Sequence, residues 1–281
     1  MSPGVRILGA GAALPIPAVQ PKRLPQRAFA ALSAGLFIVS AAATIVWCAS
    51  MSAMGGMPMP GGWTMSMAWM RMPGQTWPGA MGAFLGMWTV MMVAMMLPAL
   101  VPMLMRYRLA VGNRGEMPPG LLTALVGAGY FCVWTAFGMI VFPLGVALAA
   151  LEMQQVVLAR AVPIVAGGMV LIAGLVQFSA WKLRHLGCCR ESPRLGRMLA
   201  ADAATAFRHG LRLGLHCSYC CANLTAILVV TGVMDLRAMG MIAAAVTAER
   251  LLPGGERVAR MIGVLAVLAG VVLIARAAGL E

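Results

Sequence analysis

Residues 211–233 read LRLGLHCSYCCANLTAILVVTGV, a run without an acidic residue that is long and apolar enough to cross a lipid bilayer as one helix. Within it, four side chains that bind soft metals fall inside six residues: His216, Cys217, Cys220 and Cys221. At about 100° per residue these side chains span an arc of about 140°, so we expect them on one side of the helix. One buried cysteine is ordinary core packing, but three with a histidine indicate a site for a soft metal ion.

The composition of the whole chain places this helix in a membrane protein. The chain has 281 residues, of which 61% are hydrophobic and 10% are charged, and its mean hydropathy is +0.88. A soluble domain of this length does not need so much apolar surface. Long apolar runs, rather than alternating strands of about ten residues, also argue against a β-barrel. We therefore predict an all-α, polytopic transmembrane helical bundle.

The hydropathy pattern predicts about seven spans in a single transmembrane domain that covers residues 28–279. The predicted spans are residues 28–50, 80–105, 121–150, 161–183, 211–234, 238–252 and 259–279. The sixth span is the shortest, so a six-span arrangement with a re-entrant or interfacial segment remains open. Residues 1–27 are rich in proline and lack the apolar core of a signal peptide, which predicts a cytoplasmic tail.

The basic residues predict the orientation of these spans. The net charge is +13, and with a cytoplasmic N-terminus 17 of the 21 Lys and Arg residues lie on the cytoplasmic side. This asymmetry follows the positive-inside rule and predicts a multi-pass protein of the inner (cytoplasmic) membrane with its N-terminus in the cytoplasm. Residues 51–79 then form an outer loop and residues 184–210 form a basic cytoplasmic loop. Arginines beside anionic lipid account for the charge without a nucleic-acid partner.

Methionine is concentrated in the outer loop and in the second span. Of the 26 methionines, 16 lie between Met51 and Met105, and eight of these are in the loop. Thioether remains a ligand where thiolate would oxidise, and it selects Cu(I). Because methionines among Gly, Pro and Ser fill no core, we expect the loop to bind copper. Met91 and Met95, one helical turn apart in the span, are either further ligands or flexible core packing.

A second cluster of soft ligands closes the fourth span. It consists of His185, Cys188 and Cys189, and a neighbouring Arg190 favours thiolate, the form that binds metal. We expect the fourth and fifth spans to pack together and bring this cluster close to Cys217 and its neighbours. The alternative is that these vicinal cysteines are palmitoylated or inert.

The remaining features are a glutamate in a predicted span, two isolated cysteines and two glycine pairs, and most of them can be explained by packing alone. Glu249 either pairs with Arg250 or a lipid headgroup, or faces a cavity as a metal ligand or proton acceptor. Cys48 and Cys132 stand alone in apolar spans and are predicted to be core packing. Two pairs of glycines predict close contacts between helices: Gly82 with Gly86, and Gly210 with Gly214.

The order of several segments resembles a bacterial family of predicted metal-binding integral membrane proteins (domain of unknown function 2182). The matching segments are MWTVMMVAMMLP at residues 87–98, CRESP at residues 189–193, residues 210–221 and the pair Glu249-Arg250. They are spread over most of the chain. The resemblance implies a metal site in a membrane protein but does not imply a particular activity.

Together these features predict an integral membrane protein that binds and transports or delivers a soft transition metal. Cu(I) fits the ligands best, before other soft or borderline metals. The outer loop would capture the ion, Met91 and Met95 would pass it inward, and the cysteines would receive it. The chain has no phosphate-binding loop, so transport would be passive, coupled to a gradient or dependent on a partner. The expected partners are the lipid bilayer and a metallochaperone or the subunits of a membrane complex.

Two other classes of function remain open at this stage. Cys217 and Cys220 form a Cys-x-x-Cys pair that could relay thiol–disulfide exchange across the membrane. The protein could also be an assembly or metal-delivery subunit of a larger membrane complex. No Ser/His/Asp set and no paired carboxylates occur, so we do not expect an enzyme.

The predicted orientation can be tested with reporter fusions. Fusions after Arg114 and after Arg197 should report the cytoplasm, and a fusion after Trp63 should report the outer side. An external signal at Arg197 would overturn the placement of the cysteine clusters on the cytoplasmic side.

Overall fold

The computed structural model describes residues 23–72, 74–112, 117–190 and 202–279, which form a helical bundle with one small β-hairpin. The prediction of an all-α bundle is confirmed. The helices are α1 (Arg23–Ala53), α2 (Trp77–Val111), α3 (Pro119–Gln154), α4 (Val156–Val176), α5 (Ala180–Arg190), α6 (Ala203–Thr231), α7 (Leu236–Leu251) and α8 (Gly255–Ala277). The hairpin consists of β1 (Met57–Met59) and β2 (Trp63–Met65).

Six helices within the described residues are long and apolar enough to cross a bilayer: α1, α2, α3, α4, α6 and α8. The predicted sixth span, residues 238–252, corresponds to α7, which has 16 residues. At 1.5 Å per residue α7 rises about 24 Å, and this falls short of a hydrocarbon core about 30 Å thick. The six-span alternative therefore fits the helix lengths better than seven full spans.

α7 nevertheless carries the chain back through much of the bundle. Both α6 and α8 run antiparallel to α4 and its continuation α5, so α6 and α8 run in the same direction. In α6, Asn223 contacts Ala173 and the earlier residue Cys220 contacts the later residue Lys182. In α8, Val267 contacts Gly174 and the later residue Gly270 contacts the earlier residue Gly167. A chain that runs twice in one direction must return in between. The short helix α7 makes that return inside the protein, against α2, α6 and α8.

The predicted loops are shorter than expected at both ends of the bundle. Residues 184–190 belong to α5 and residues 203–210 belong to α6, so the predicted cytoplasmic loop over residues 184–210 is helical on both sides. Asp202 starts α6 by accepting a hydrogen bond from the Thr205 amide (3.0 Å). Hydrogen bonds from Thr205 hold the pKa of Asp202 below its ordinary value, so this cap is charged at neutral pH.

Helix α1 begins at Arg23, before the predicted end of the tail at residue 27, while residues 1–22 lie outside the described part.

The methionine-rich outer loop contains the hairpin, and two of its methionines are buried. Met59 and Met65 pack against Ala149 at the end of α3 and Ala159 at the start of α4. The Trp63 indole donates a hydrogen bond to the Ala159 carbonyl oxygen (2.8 Å) and fastens the hairpin there. The prediction that the loop methionines fill no core is therefore wrong for Met59 and Met65. The reason is that the hairpin has an inner face, which the run of Gly, Pro and Ser did not indicate.

Close contact between α3 and α6 depends on small residues. A Cβ atom on Gly214 would lie 2.8 Å from the Tyr130 carbonyl oxygen and 2.9 Å from the Val133 side chain. Gly210 packs as closely on the backbone of Val126. These contacts confirm the prediction for the Gly210 and Gly214 pair. The other predicted pair differs: a Cβ at Gly82 would meet nothing within 4 Å.

Replacing Gly214 should separate α3 from α6. Gly214→Ala places a methyl group against backbone atoms that cannot move aside, and overpacking of this kind costs about 1–3 kcal/mol. Gly82→Ala is the matched control, because its methyl group points into open space and alanine favours helix. We expect a lower unfolding temperature in detergent for Gly214→Ala and an equal or higher one for Gly82→Ala. Equal unfolding temperatures for Gly214→Ala and the wild type would contradict the close α3–α6 contact.

Candidate functional site

Three cysteines of α6 lie in the interior of the bundle. Cys217, Cys220 and Cys221 are fully buried, and the sulfur atoms of Cys217 and Cys221 are 3.8 Å apart. Helix α6 can bury them because it is surrounded by α3, α4, α5 and α7. The structure therefore buries all three thiols that the sequence placed on one side of the helix, and it brings two of them, Cys217 and Cys221, into contact.

The two histidines of the predicted site lie apart from these thiols. His216 is exposed, and its Nδ1 atom is 2.8 Å from the Arg212 carbonyl oxygen one turn earlier. His185 is half-buried between aromatic rings, with ring centroids 4.5 Å from Trp181 and 5.9 Å from Tyr219. The contact with Tyr219 shows that α5 and α6 adjoin, as predicted. The side chains of Cys188 and Cys189 lie outside the described part of the structure, so the joint site remains a prediction.

The sulfur atom of Cys217 receives two hydrogen bonds from other helices. The Tyr130 hydroxyl of α3 donates to it at 2.9 Å, and Nη1 of Arg250 at the end of α7 donates at 3.2 Å. Both donors are buried. The Nη2 atom of Arg250 also lies 3.8 Å from the thioether sulfur of Met103 on α2. Three helices therefore meet at this sulfur atom, and Arg250 connects it to a fourth helix, α2.

A buried ion pair lies beside the thiols. Nζ of Lys182 is 2.8 Å from Oε2 of Glu249, and neither side chain is more than 1% exposed. Lys182 also donates to the Cys220 carbonyl oxygen (2.5 Å), and Gln177 donates to Oε1 of Glu249 (2.7 Å). A buried charge is costly unless it is paired and hydrogen-bonded, and here each charge has several partners. Asn223 on α6 extends this polar group, with its Oδ1 atom 3.5 Å from Nζ of Lys182.

The break between α4 and α5 brings Lys182 into this position. Helix α4 ends at Val176, and three residues intervene before α5 begins at Ala180. The Ser179 hydroxyl accepts a hydrogen bond from the Lys182 amide (3.1 Å), which starts the new helix. A continuous helix would point residue 182 in another direction, so the break is what directs the lysine inward.

Some members of this group were missed or assigned differently from the sequence alone. The sequence placed Lys182 with the cytoplasmic charges. For Glu249, one of the two predicted explanations was pairing with Arg250 or a lipid headgroup. In the structure Glu249 pairs with Lys182, whereas Arg250 reaches Cys217. Gln177 and Asn223 are polar residues inside apolar runs, and that signal alone could have drawn attention to them.

The predicted methionine ligands of α2 lie in the core. Met91 and Met95 are buried at 1% and 4% exposure, in the same core cluster as the α6 cysteines. Both the packing role and the ligand role therefore remain compatible with their position.

The chemistry available here is that of sulfur held in a dry interior. Two sulfur atoms 3.8 Å apart could share one metal ion, because metal–sulfur bonds of about 2.3 Å at a tetrahedral angle span about that distance. Within the described residues, no group of three or more His, Cys, Asp or Glu side chains is arranged to hold a metal ion. Within these residues the candidate site therefore consists of the thiols of Cys217 and Cys221. The Tyr130 hydroxyl and the Arg250 guanidinium contact Cys217, and the Met103 thioether lies next to Arg250.

Comparison with known proteins identifies the family of the chain. No curated protein and no solved structure matches the chain. Residues 85–273, well over half of the chain, match the sequence model of a family described as PpoB2, copper chaperone. The match contains all of α3 to α7, and with them the buried cysteines and the ion pair. It confirms a copper-related family, while the narrower designation as domain of unknown function 2182 remains a prediction. The chain belongs to the PpoB2 copper chaperone family.

Proposed function

We propose that this protein binds Cu(I) inside the membrane at the buried cysteines of α6 and delivers the ion to a partner. The observation that carries the proposal is the contact geometry of Cys217, whose sulfur lies beside that of Cys221 and accepts hydrogen bonds from residues of two other helices. Membership of a copper chaperone family supports the choice of metal. The proposal concerns binding and transfer rather than catalysis.

The ligand types support Cu(I) over a harder ion. Thiols and a thioether suit Cu(I), whereas Mg²⁺ and Ca²⁺ require oxygen ligands. Charge supports the same choice. Lys182 and Glu249 balance each other, whereas Arg250 already places one positive charge beside the sulfur of Cys217. A monovalent ion needs fewer balancing thiolates than Zn²⁺ in this dry interior.

Burial of the cysteines argues against the thiol–disulfide relay. Exchange requires a thiolate that a partner sulfur can reach and attack. Cys217 and Cys220 are reduced thiols without exposed surface, and they lie in the middle of a membrane-length helix. A bare metal ion is small enough to enter such a site, but a protein disulfide is not. We therefore favour metal binding over the relay.

Delivery, rather than pumping, is the function that these parts support. Hand-over from one protein to another needs only a site whose ligands can be exchanged. A copper-binding partner, as a metallochaperone or a subunit of a membrane complex, would complete this step.

The proposal is tested by Cu(I) binding to the purified protein in detergent under anaerobic conditions. Cys217→Ser/Cys220→Ser should lower the Cu(I) affinity of the site by at least about tenfold, which corresponds to about 1.4 kcal/mol. Cys132→Ser is the matched control, because Cys132 is an exposed thiol on α3 and lies outside the buried group. It should bind Cu(I) like the wild type.

The readout is titration of Cu(I) against a chromogenic competitor, followed by elemental analysis of the desalted protein. Elution at the wild-type volume in size-exclusion chromatography confirms that the variants are folded. Unchanged affinity and copper content in Cys217→Ser/Cys220→Ser would exclude these cysteines as the site.

A further inference from the structure

A cavity lined by methionines lies at the end of the bundle where α1 ends and α2 begins. Its volume is about 160 Å³. Six methionines line it, and they come from α1, the outer loop, α2 and the connection between α6 and α7: Met51, Met67, Met70, Met72, Met87 and Met234. Because these residues are contributed by four parts of the chain, a methionine-rich run in the sequence does not by itself explain the cavity.

The lining is graded from the mouth of the cavity to its base. Met51, Met67, Met70 and Met72 are each partly exposed, whereas Met87 is buried at 4% exposure. Phe84 and Phe142 form apolar parts of the wall. An ion that enters from outside would therefore meet accessible thioethers first and a buried thioether last.

The chemistry of the wall selects the class of ligand. None of the described residues that line the cavity is charged. A hard dication would find no carboxylate or imidazole there, and it would lose its water without compensation. Thioether sulfur is a neutral, soft donor that suits Cu(I) and is a poor ligand for zinc. A monovalent soft ion fits this lining best.

A thiol lies directly behind the wall. The sulfur atom of Cys48 on α1 is 3.9 Å from the thioether sulfur of Met234, and Cys48 is 2% exposed. The sequence alone gave Cys48 as core packing. In the structure it adds a sulfur to a thioether that already lines the cavity, and this contact is independent of the methionines of the outer loop.

We infer that this cavity is a second Cu(I) site, at which the protein first acquires the ion. The inference rests on the proposed copper function and extends it to a separate part of the molecule. From Met87, at the base of the cavity, to Met103, beside Arg250, α2 advances by 16 residues, or about 24 Å. The cavity and the α6 cysteines are therefore two sites rather than one. Met91 and Met95 lie between them on the same helix.

The experiment replaces one cavity methionine from each of three segments. Met51→Leu/Met70→Leu/Met234→Leu keeps apolar side chains of similar size and removes three sulfur atoms. The matched control is Met139→Leu/Met241→Leu/Met261→Leu, because these three methionines are 49%, 67% and 67% exposed and do not line the cavity. Both variants, the wild type and Cys217→Ser/Cys220→Ser are titrated with Cu(I) under anaerobic conditions in detergent.

We expect two bound Cu(I) ions for the wild type and the control, and one for the cavity variant. Cys217→Ser/Cys220→Ser should also keep one, and X-ray absorption at the copper edge should show sulfur neighbours without nitrogen for that ion. Wild-type stoichiometry and affinity in the cavity variant would overturn the inference and leave the cysteine site intact. Loss of all copper in Cys217→Ser/Cys220→Ser would also overturn it. Conversely, copper lost in the cavity variant but fully kept in the cysteine variant would refute the proposed cysteine site and not the cavity.

Discussion

The requirement that a buried charge have a partner is the constraint on which this bundle depends. Lys182 and Glu249 meet at 2.8 Å in its core, and each is held by further hydrogen bonds. Removing one partner of such a pair costs about 3–5 kcal/mol, because the other charge is then left alone. The pair joins α5 to α7, and the bond from Lys182 to the Cys220 carbonyl oxygen joins both to α6. The depth and rotation of three helices are therefore fixed at one point, which is also where the thiols lie.

The membrane-spanning fold could be predicted because the bilayer leaves few alternatives. Apolar runs of sufficient length have to be helices, and six of the predicted spans correspond to helices long enough to cross a bilayer, although the predicted span 161–183 is interrupted after Val176. The glycine pair at residues 210 and 214 also gave a correct helix contact, since small residues are required wherever backbones approach. The short helix α7 was harder to interpret. Its length is that of neither a full span nor a surface turn, and its path is decided by the helices around it.

The contacts of individual side chains could not be predicted in the same way. A sequence gives the rotation of residues about one helix axis, but not which neighbour each face meets. His216 follows this pattern: it is adjacent to Cys217 in sequence and lies at the edge of the predicted arc, yet it is exposed. Lys182 depended on a three-residue break that hydropathy does not register. Cys48 and Met234 are 186 residues apart, and their contact follows from how α1 meets the connection between α6 and α7.

The position of Arg250 gives the cysteine site a resident cation of its own. Its guanidinium lies against the sulfur of Cys217 and near that of Met103. If Cu(I) binds there as proposed, it would compete with the guanidinium for the same lone pairs, and the arginine would have to move aside. Arg250 is one residue from the end of α7, next to the turn at Gly254 that leads into α8. Arg250 thereby connects the sulfur of Cys217 to the last turn of α7, and an ion held by that sulfur would be felt first at this end of the helix.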